Sequence, residues 1–276
     1  ILERRPVTSE VEGSSPLHPA IVYHRTPLLG FFFCKGVVCD TMSQDTPQPH
    51  TVQTRSVAVF DYDGTCIDGQ SGLLIARWLL RKKYLSLRSA AGLAWWGFRY
   101  KLHLPYREER SRELIFHDLA PLGSEQIHSI MVDFHREVLL PLYRPAALRE
   151  IAERNEQGCA TVIISATFED IAKEASLYLG TDGFVATQME CDEFGHYTGN
   201  VLGKVITDEA KVEAVRQWAD EFIGKDSWNL MYAYGDHHSD VDLLIEAAHP
   251  VAVCPGPTLR KTAHKKHWPI VDWKVD

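Results

Sequence analysis

The chain changes character three times when read for apolar and polar positions. Residues 1–55 show no sustained period. Pro6, Pro16, Pro19, Pro27, Pro47 and Pro49 interrupt Ser and Thr clusters, and one apolar patch at 28–39 is too short and isolated to build a core. Val57-Ala58-Val59-Phe60 is then an unbroken apolar run, the pattern of a buried strand. Over 69–142 apolar residues recur at three- and four-residue steps (Leu73, Leu74, Trp78, Leu79; Ala90, Leu93, Ala94, Trp96), the period of helices. Pro105 breaks that stretch, and helices are predicted over 107–119 and 124–140, the second capped by Ser124.

Beyond residue 143 strands and helices alternate. The pattern predicts a helix over 145–156 closed near Gly158, a strand over 160–164 ending at Ser165, and a helix over 168–178 capped by Thr167. A strand over 183–189 follows, then a hairpin over 193–203 turning at Gly195 and at Gly199-Asn200, and a helix over 208–222. Last come a strand over 230–234 ending at Gly235-Asp236, a helix over 239–248 and a strand over 250–253. This rhythm predicts an α/β fold, a Rossmann-like, doubly wound parallel sheet with helices on both faces. The helical stretch is too long for a simple strand-to-helix connection, so it predicts an inserted all-helical cap. Residues 56–68 and 143–276 would form the core, 69–142 the cap, and 1–55 an extension outside the fold. The first methionine is Met42, followed by the polar run SQDTPQPHTVQTR. The natural chain is expected to start there, with residues 1–41 upstream sequence or a disordered tail.

Composition narrows this picture modestly. A net charge of −8, with 45% apolar and 24% charged residues, is ordinary for a soluble globular protein of 276 residues. The mild acidity, with no basic stripe found, speaks against a nucleic-acid partner. No apolar run approaches the roughly 20 residues of a membrane span, so none is expected. Six cysteines without a CxxC pair read as reduced thiols of a cytoplasmic protein.

The candidate chemistry sits at strand ends. Asp61-Tyr62-Asp63-Gly64-Thr65 closes the first strand, at the edge where open α/β sheets bind ligands. Two carboxylates so close repel, and are tolerable with a cation between them or with one protonated. Gly64 permits the tight exit turn. Ser165 ends the second strand, Asp236 the last, and Asp240 follows four residues on. Lys211 lies early in the preceding helix. In a parallel sheet these ends share one edge. The set suits phosphoryl transfer, whose dianionic substrate must be neutralised. Asp61, Asp63 and Asp236 can hold Mg²⁺, a hard cation that prefers carboxylate oxygens. Ser165 and neighbouring backbone N–H groups can hold phosphate oxygens, and Lys211 can cancel charge. One aspartate can attack phosphorus, and the second can protonate the leaving oxygen and then activate water.

Asp-x-Asp-Gly-Thr after a strand, Ser after a second strand, a lone Lys and then Gly-Asp-x-x-Ser-Asp together resemble the haloacid dehalogenase superfamily of phosphatases, over about residues 56–273. The long helical insert is similar to that superfamily's first cap class, as in phosphoserine phosphatase-like proteins. The tail HPVAVCPGPTLRKTAHKKHWPIVDW resembles its subfamily IB. The resemblance implies Asp61 as nucleophile and Asp63 as general acid/base that also lends Mg²⁺ its backbone carbonyl. It implies Ser165, Lys211 and Gly64 around the phosphate, Asp236 on Mg²⁺, and Asp240 supporting the metal shell and Lys211. Lys204 is the competing lysine, but Lys211 has the matching helical position. Phosphoserine phosphatases carry an acidic residue near position 70 that meets the substrate amine; Gln70 stands here, a poorer partner for ammonium. The implied activity is Mg²⁺-dependent hydrolysis of a small phosphorylated metabolite. Phosphoserine phosphatase proper, a phosphotransferase and a non-catalytic binding module are the alternatives. The last predicts erosion of Asp61, Asp63, Lys211 or Asp236, and none is eroded.

Other residues carry plainer expectations. His237-His238 read as rim residues, Cys66 as a small buried side chain, and Trp95, Trp96, Phe98 and Tyr100 as helix core, with a lipid- or partner-facing cap surface as the alternative. Arg107, Arg110 and Arg112 with Glu108, Glu109 and Glu113 read as a solvated mixed-charge face, with one Arg reaching the substrate as the alternative.

Overall fold

A computed structural model describes residues 54–102 and 104–274. The expectations for the amino-terminal extension, for a start at Met42 and for Cys34 and Cys39 lie outside the described residues, except that Arg55 opens the first strand.

Strand β1 (Arg55–Asp61) lies inside a six-stranded parallel sheet. With β2 (Ala160–Phe168), β3 (Gly183–Thr187), β6 (Trp228–Gly235), β7 (His249–Val253) and β8 (Ile270–Val271), the order is β3-β2-β1-β6-β7-β8. Both faces of β1 are covered, which is why its sequence is apolar without alternation. Val57 and Val59 pack with Trp218, Leu244 and Leu259 of α7 (Glu209–Phe222), α8 (Val241–Glu246) and α9 (Pro257–Lys266). Ala58 and Phe60 face the opposite cluster, where Phe60 stacks on Tyr234 at 4.3 Å.

That second cluster takes in the helices inserted after β1: α1 (Ser71–Arg81), α2 (Leu87–Lys101), α3 (Arg110–Leu119) and α4 (Ser124–Phe134). Trp78, Phe116 and Phe134 of this insert are buried together with Phe60 and Ile163 of the sheet and Tyr62 just beyond β1. The two ends of the insert run side by side. The Asp68 amide donates to the Leu142 carbonyl at 2.8 Å, and the Arg144 amide to the Cys66 carbonyl at 2.9 Å. The Arg144 side chain ties across to Asp68 at 2.8 Å and to the Trp273 carbonyl at 3.0 Å. The chain returns to the sheet through α5 (Pro145–Glu156), which leads into β2, and α6 (Glu169–Leu179) then links β2 to β3.

Element boundaries depart from the periodicity where tertiary bonds intervene. β2 continues past Ser165 to Phe168, because Phe168 still pairs with Thr187 of β3; Thr167 is therefore a strand residue, not a helix cap. α3 begins at Arg110, three residues late, and the Trp96 indole holds the Arg107 carbonyl at 2.8 Å. Gly123, at φ 82°, occupies the cap position expected for Ser124. The helix over 124–140 stops at Phe134 and unwinds through a π turn at His135–Leu139 before Pro141, which has no N–H to continue it. The hairpin pairs β4 (Met189–Cys191) with β5 (Tyr197–Val201) antiparallel. Gly199 lies within β5, not in a turn; its φ of 89° would strain any side chain, and a Cβ would come within 3.7 Å of the His117 backbone. The helix over 239–248 is shorter than expected, a 3₁₀ turn at His238–Asp240 leading into α8.

Candidate active site

β1 ends on Asp61, and Tyr62 behind it is wholly buried, which fixes the direction in which the next residues leave the sheet. The chain then turns at Gly64, whose φ is 80°; a Cβ there would fall 2.1 Å from Asp236 Oδ2. Glycine is what lets the two strand ends approach. Below the turn the Cys66 thiol donates to the Asp61 carbonyl at 3.1 Å. Burial holds that thiol well above its ordinary pKa, so it serves as a donor and not as a nucleophile. The Thr65 hydroxyl is buried and has no partner among the described residues.

Two strand ends and a helix start converge here. Lys211, in the first turn of α7, places Nζ 2.5 Å from Asp61 Oδ1 and 2.5 Å from Asp240 Oδ1. The other Asp240 oxygen accepts the His237 backbone N–H at 3.0 Å. Asp61, Asp236 and Asp240 bring ligand oxygens within 4.8 Å of one another. One ammonium thus faces three carboxylates, with Asp61, Lys211 and Asp240 all buried. Burial, then the Asp240 charge, raises the Asp61 carboxyl well above the usual range, and Lys211 opposes this. Burial and Asp240 push Asp236 up to about 7. Burial disfavours charge on Lys211, yet Asp240 and Asp61 hold its pKa above the ordinary lysine value. A divalent cation of the hard, oxygen-seeking kind would relieve this excess of negative charge, so the donor set fits Mg²⁺.

Asp63 stands apart from that cluster. Its Oδ1 accepts the Ser71 backbone N–H at 2.5 Å and its Oδ2 the Ser71 hydroxyl at 2.9 Å, at the first turn of α1. The Ser165 hydroxyl donates to the same Oδ2 at 3.4 Å and accepts the Thr167 amide at 3.0 Å. Burial raises the Asp63 carboxyl, and the Ser71 bonds partly offset it. The two aspartates of the motif are therefore held differently, one by an ammonium and one by a helix start.

The structure brings Asp61, Asp63, Gly64, Ser165, Lys211, Asp236 and Asp240 together at one sheet edge. Lys204 is exposed in the loop after β5, and Gln70 is exposed at the start of α1. His237 and His238 lie at the rim, with His237 Nδ1 3.0 Å from the Ser239 hydroxyl. Two residues were missed or misread. Ser71 carried no signal beyond a small polar residue at a helix start. Arg112 was read as part of a solvated face, but its Nε and Nη2 donate to the Ala166 carbonyl at 2.9 and 2.7 Å, beside Ser165. Its signal lay in spacing: Ile115, Phe116 and Leu119 stand three, four and seven residues on, so Arg112 shares the buried stripe of α3. Arg107 and Arg110 do remain on the exposed side, paired with Glu113. Trp95, Phe98 and Tyr100, expected in a helix core, are exposed.

Residues 58–244 match the family of haloacid dehalogenase-like hydrolases. A protein named histidinol-phosphatase from Neisseria meningitidis serogroup C (strain 8013) is 28% identical over 227 residues, covering 80% of this chain and 100% of that protein. A phosphoserine phosphatase of Mycobacterium tuberculosis (strain ATCC 25618 / H37Rv) is 25% identical over 242 residues, covering 81% of this chain and 73% of that one. Among solved structures, a protein of unknown function from Bordetella pertussis Tohama I superposes with a TM-score of 0.72 at 26% identity, covering 80% of this chain and all of that one.

Proposed function

Because the chain belongs to the haloacid dehalogenase-like hydrolase family, we propose that it is a Mg²⁺-dependent phosphomonoester phosphatase working through an aspartyl-phosphate. The observation that carries this reading is Lys211, held 2.5 Å from both Asp61 and Asp240 at the tips of the central strands. Lys211 engages one oxygen of Asp61 and leaves the other to attack phosphorus, displacing the ester oxygen and forming the acyl-phosphate. Asp63, kept towards its neutral form by burial and aimed by Ser71, gives its proton to the leaving oxygen. The resulting carboxylate then takes a proton from the water that cleaves the acyl-phosphate. Ser165 and Lys211 hold the phosphoryl oxygens, with Gly64 allowing their close approach. Mg²⁺ held by Asp61, Asp236 and the Asp63 carbonyl, with Asp240 supporting the shell, would neutralise the phosphate dianion.

Substrate entry calls for movement. Asp61, Ser165 and Lys211 are each at most 4% exposed. We assign the opening to the helical cap, residues 69–142, pivoting where its two ends are laced together at Asp68–Leu142 and Cys66–Arg144. The relatives are named for two different small phosphomonoesters, which supports a small phosphorylated metabolite as substrate. The test is Mg²⁺-dependent phosphate release from an aryl phosphate. Asp61→Asn is expected to abolish it, and Asp63→Asn to slow it by about 10²–10⁴. A wild-type chain without Mg²⁺-dependent turnover on any of a panel of phosphomonoesters would overturn the reading.

A further inference from the structure

Residues 69–107 contain eight Lys and Arg and no Asp or Glu, in a chain whose net charge is −8. This is a basic segment that the overall composition concealed. Its centre is α2, whose only buried residue is Ser89. Leu87, Ala91, Trp95, Phe98 and Leu102 recur at steps of four, four, three and four, which places them on one side of the helix. That side faces solvent: Leu87 is 81% exposed, Trp95 59%, Phe98 51% and Leu102 52%. The Trp95 and Phe98 rings stack on one another at 5.5 Å. The opposite side carries Leu93 and Trp96, and Gly92 abuts Leu114 of α3. At 100° per residue, Arg88 and Arg99 line one edge of the apolar stripe and Lys101 the other. The stripe continues into Leu104 and Tyr106, both exposed.

An amphipathic helix ordinarily buries its apolar side; this one turns it outward, flanked by Arg88 and Arg99 on one edge and Lys101 on the other. We propose that α2 docks on an anionic lipid surface, lying in its plane with Leu87, Trp95, Phe98 and Leu102 among the acyl-chain boundaries and Arg88, Arg99 and Lys101 at the headgroups. Aromatic and basic side chains side by side are what such an interface selects. A second copy of the chain is the poorer occupant, because a two-fold contact would bring the flanking cations of the two copies together. Fifteen residues span about 22 Å, enough to lie on a bilayer. Among the described residues no helix is long and apolar enough to cross one. α3 stands between α2 and the strand tips, through the bond from Arg112 to Ala166, so docking leaves the site's own groups uncovered.

Flotation of the full chain with vesicles decides the matter, using phosphatidylcholine alone and phosphatidylcholine with about one-third phosphatidylglycerol. Binding is expected to the anionic vesicles only, and to weaken with salt. Trp95→Ser with Phe98→Ser should lower it at least about tenfold. Arg88→Gln with Lys101→Gln should lower it by about 25-fold, about fivefold per cation. Both variants alter exposed side chains and should melt with the wild type. Failure of the wild type to float with anionic vesicles overturns the proposal, as does flotation unchanged in the Trp95/Phe98 variant. A wild-type dimer that this variant converts to monomer, without vesicle binding, would assign the stripe to self-association instead.

Discussion

Asp63 is held mainly by Ser71, through both its backbone N–H and its hydroxyl, with a longer bond from the Ser165 hydroxyl. Removing the hydroxyl alone keeps the backbone bond, so Ser71→Ala should lower kcat about tenfold, the worth of one hydrogen bond to a carboxyl group, with KM little changed. Equal rates in the two proteins would show that the backbone bond suffices. A second buried polar group lies beneath the insert. His135 bonds Tyr143 at 2.9 Å, and Tyr143 bonds Tyr62 at 3.0 Å, directly under the Asp61 motif. Burial depresses the His135 pKa to about 4. The unfolded chain binds that proton near pH 6.5, so the stability this group contributes is full above pH 6.5 and is lost as pH falls towards 4. The loss should amount to about 2 kcal/mol, and His135→Phe should flatten it in urea titrations at pH 4.5 and 7. The site residues that could be read in the sequence were those whose residue type is itself the chemistry, placed at strand ends. Ser71 and Arg112 could not be read so, because what they do depends on partners brought close by the fold; Arg112 and Ala166 are 54 positions apart.

The alternation of strands and helices after residue 143 was legible because the buried parallel sheet demands unbroken apolar runs and each helix shows an apolar stripe. The ends of those elements were not, since single tertiary bonds set them, as at Phe168 pairing with Thr187. The same length of β2 that displaced Thr167 from its expected cap also puts the Ala166 carbonyl within reach of α3. Two bonds from one guanidinium hold the insert to the sheet there. Arg112→Met keeps much of the side-chain volume and removes those bonds. It should reduce kcat/KM by about 10–10², the cost of a buried charge-assisted bond, with a thermal midpoint near wild type. A variant with unchanged kcat/KM would mean that α3 holds its place by packing alone. At Gly64, an added methyl would collide with Asp236 and face an unfavourable φ, so Gly64→Ala should lose Mg²⁺-dependent turnover even where it folds.

Across the whole molecule, the carboxylate cluster and His135 pull stability in opposite directions over one pH window. An aspartate such as Asp236, raised to about 7 from an unfolded value near 4, favours folding below pH 4 and loses that advantage as pH rises through 7. In chelator the protein should therefore carry a larger stability deficit at pH 8 than at pH 5. Mg²⁺ should raise the thermal midpoint more at pH 8 than at pH 5, and Asp236→Asn should remove most of the difference. Equal midpoint shifts at both pH values would speak against metal at this cluster. The insert also shows what a pattern of apolar spacing leaves open. It fixed the helical period of residues 69–142, but not that Trp95 and Phe98 of α2 would point away from the cluster that buries Trp78 and Phe134. Period alone does not say which of two apolar stripes meets a neighbour.

The central place of β1 has a bearing on how the chain comes to be made. Its neighbours are β2, about a hundred residues later, and β6, whose Trp228 pairs with Arg55. Lys211 is 150 positions from Asp61. During synthesis β1 therefore emerges first, with both hydrogen-bonding edges open until β2 is made and one edge still open until β6 follows. Contacts of this separation form slowly, and an unpaired apolar strand is an invitation to wrong partners. A chain halted before residue 228 would display that strand with only β2 beside it, and would be a natural client for the cell's quality control.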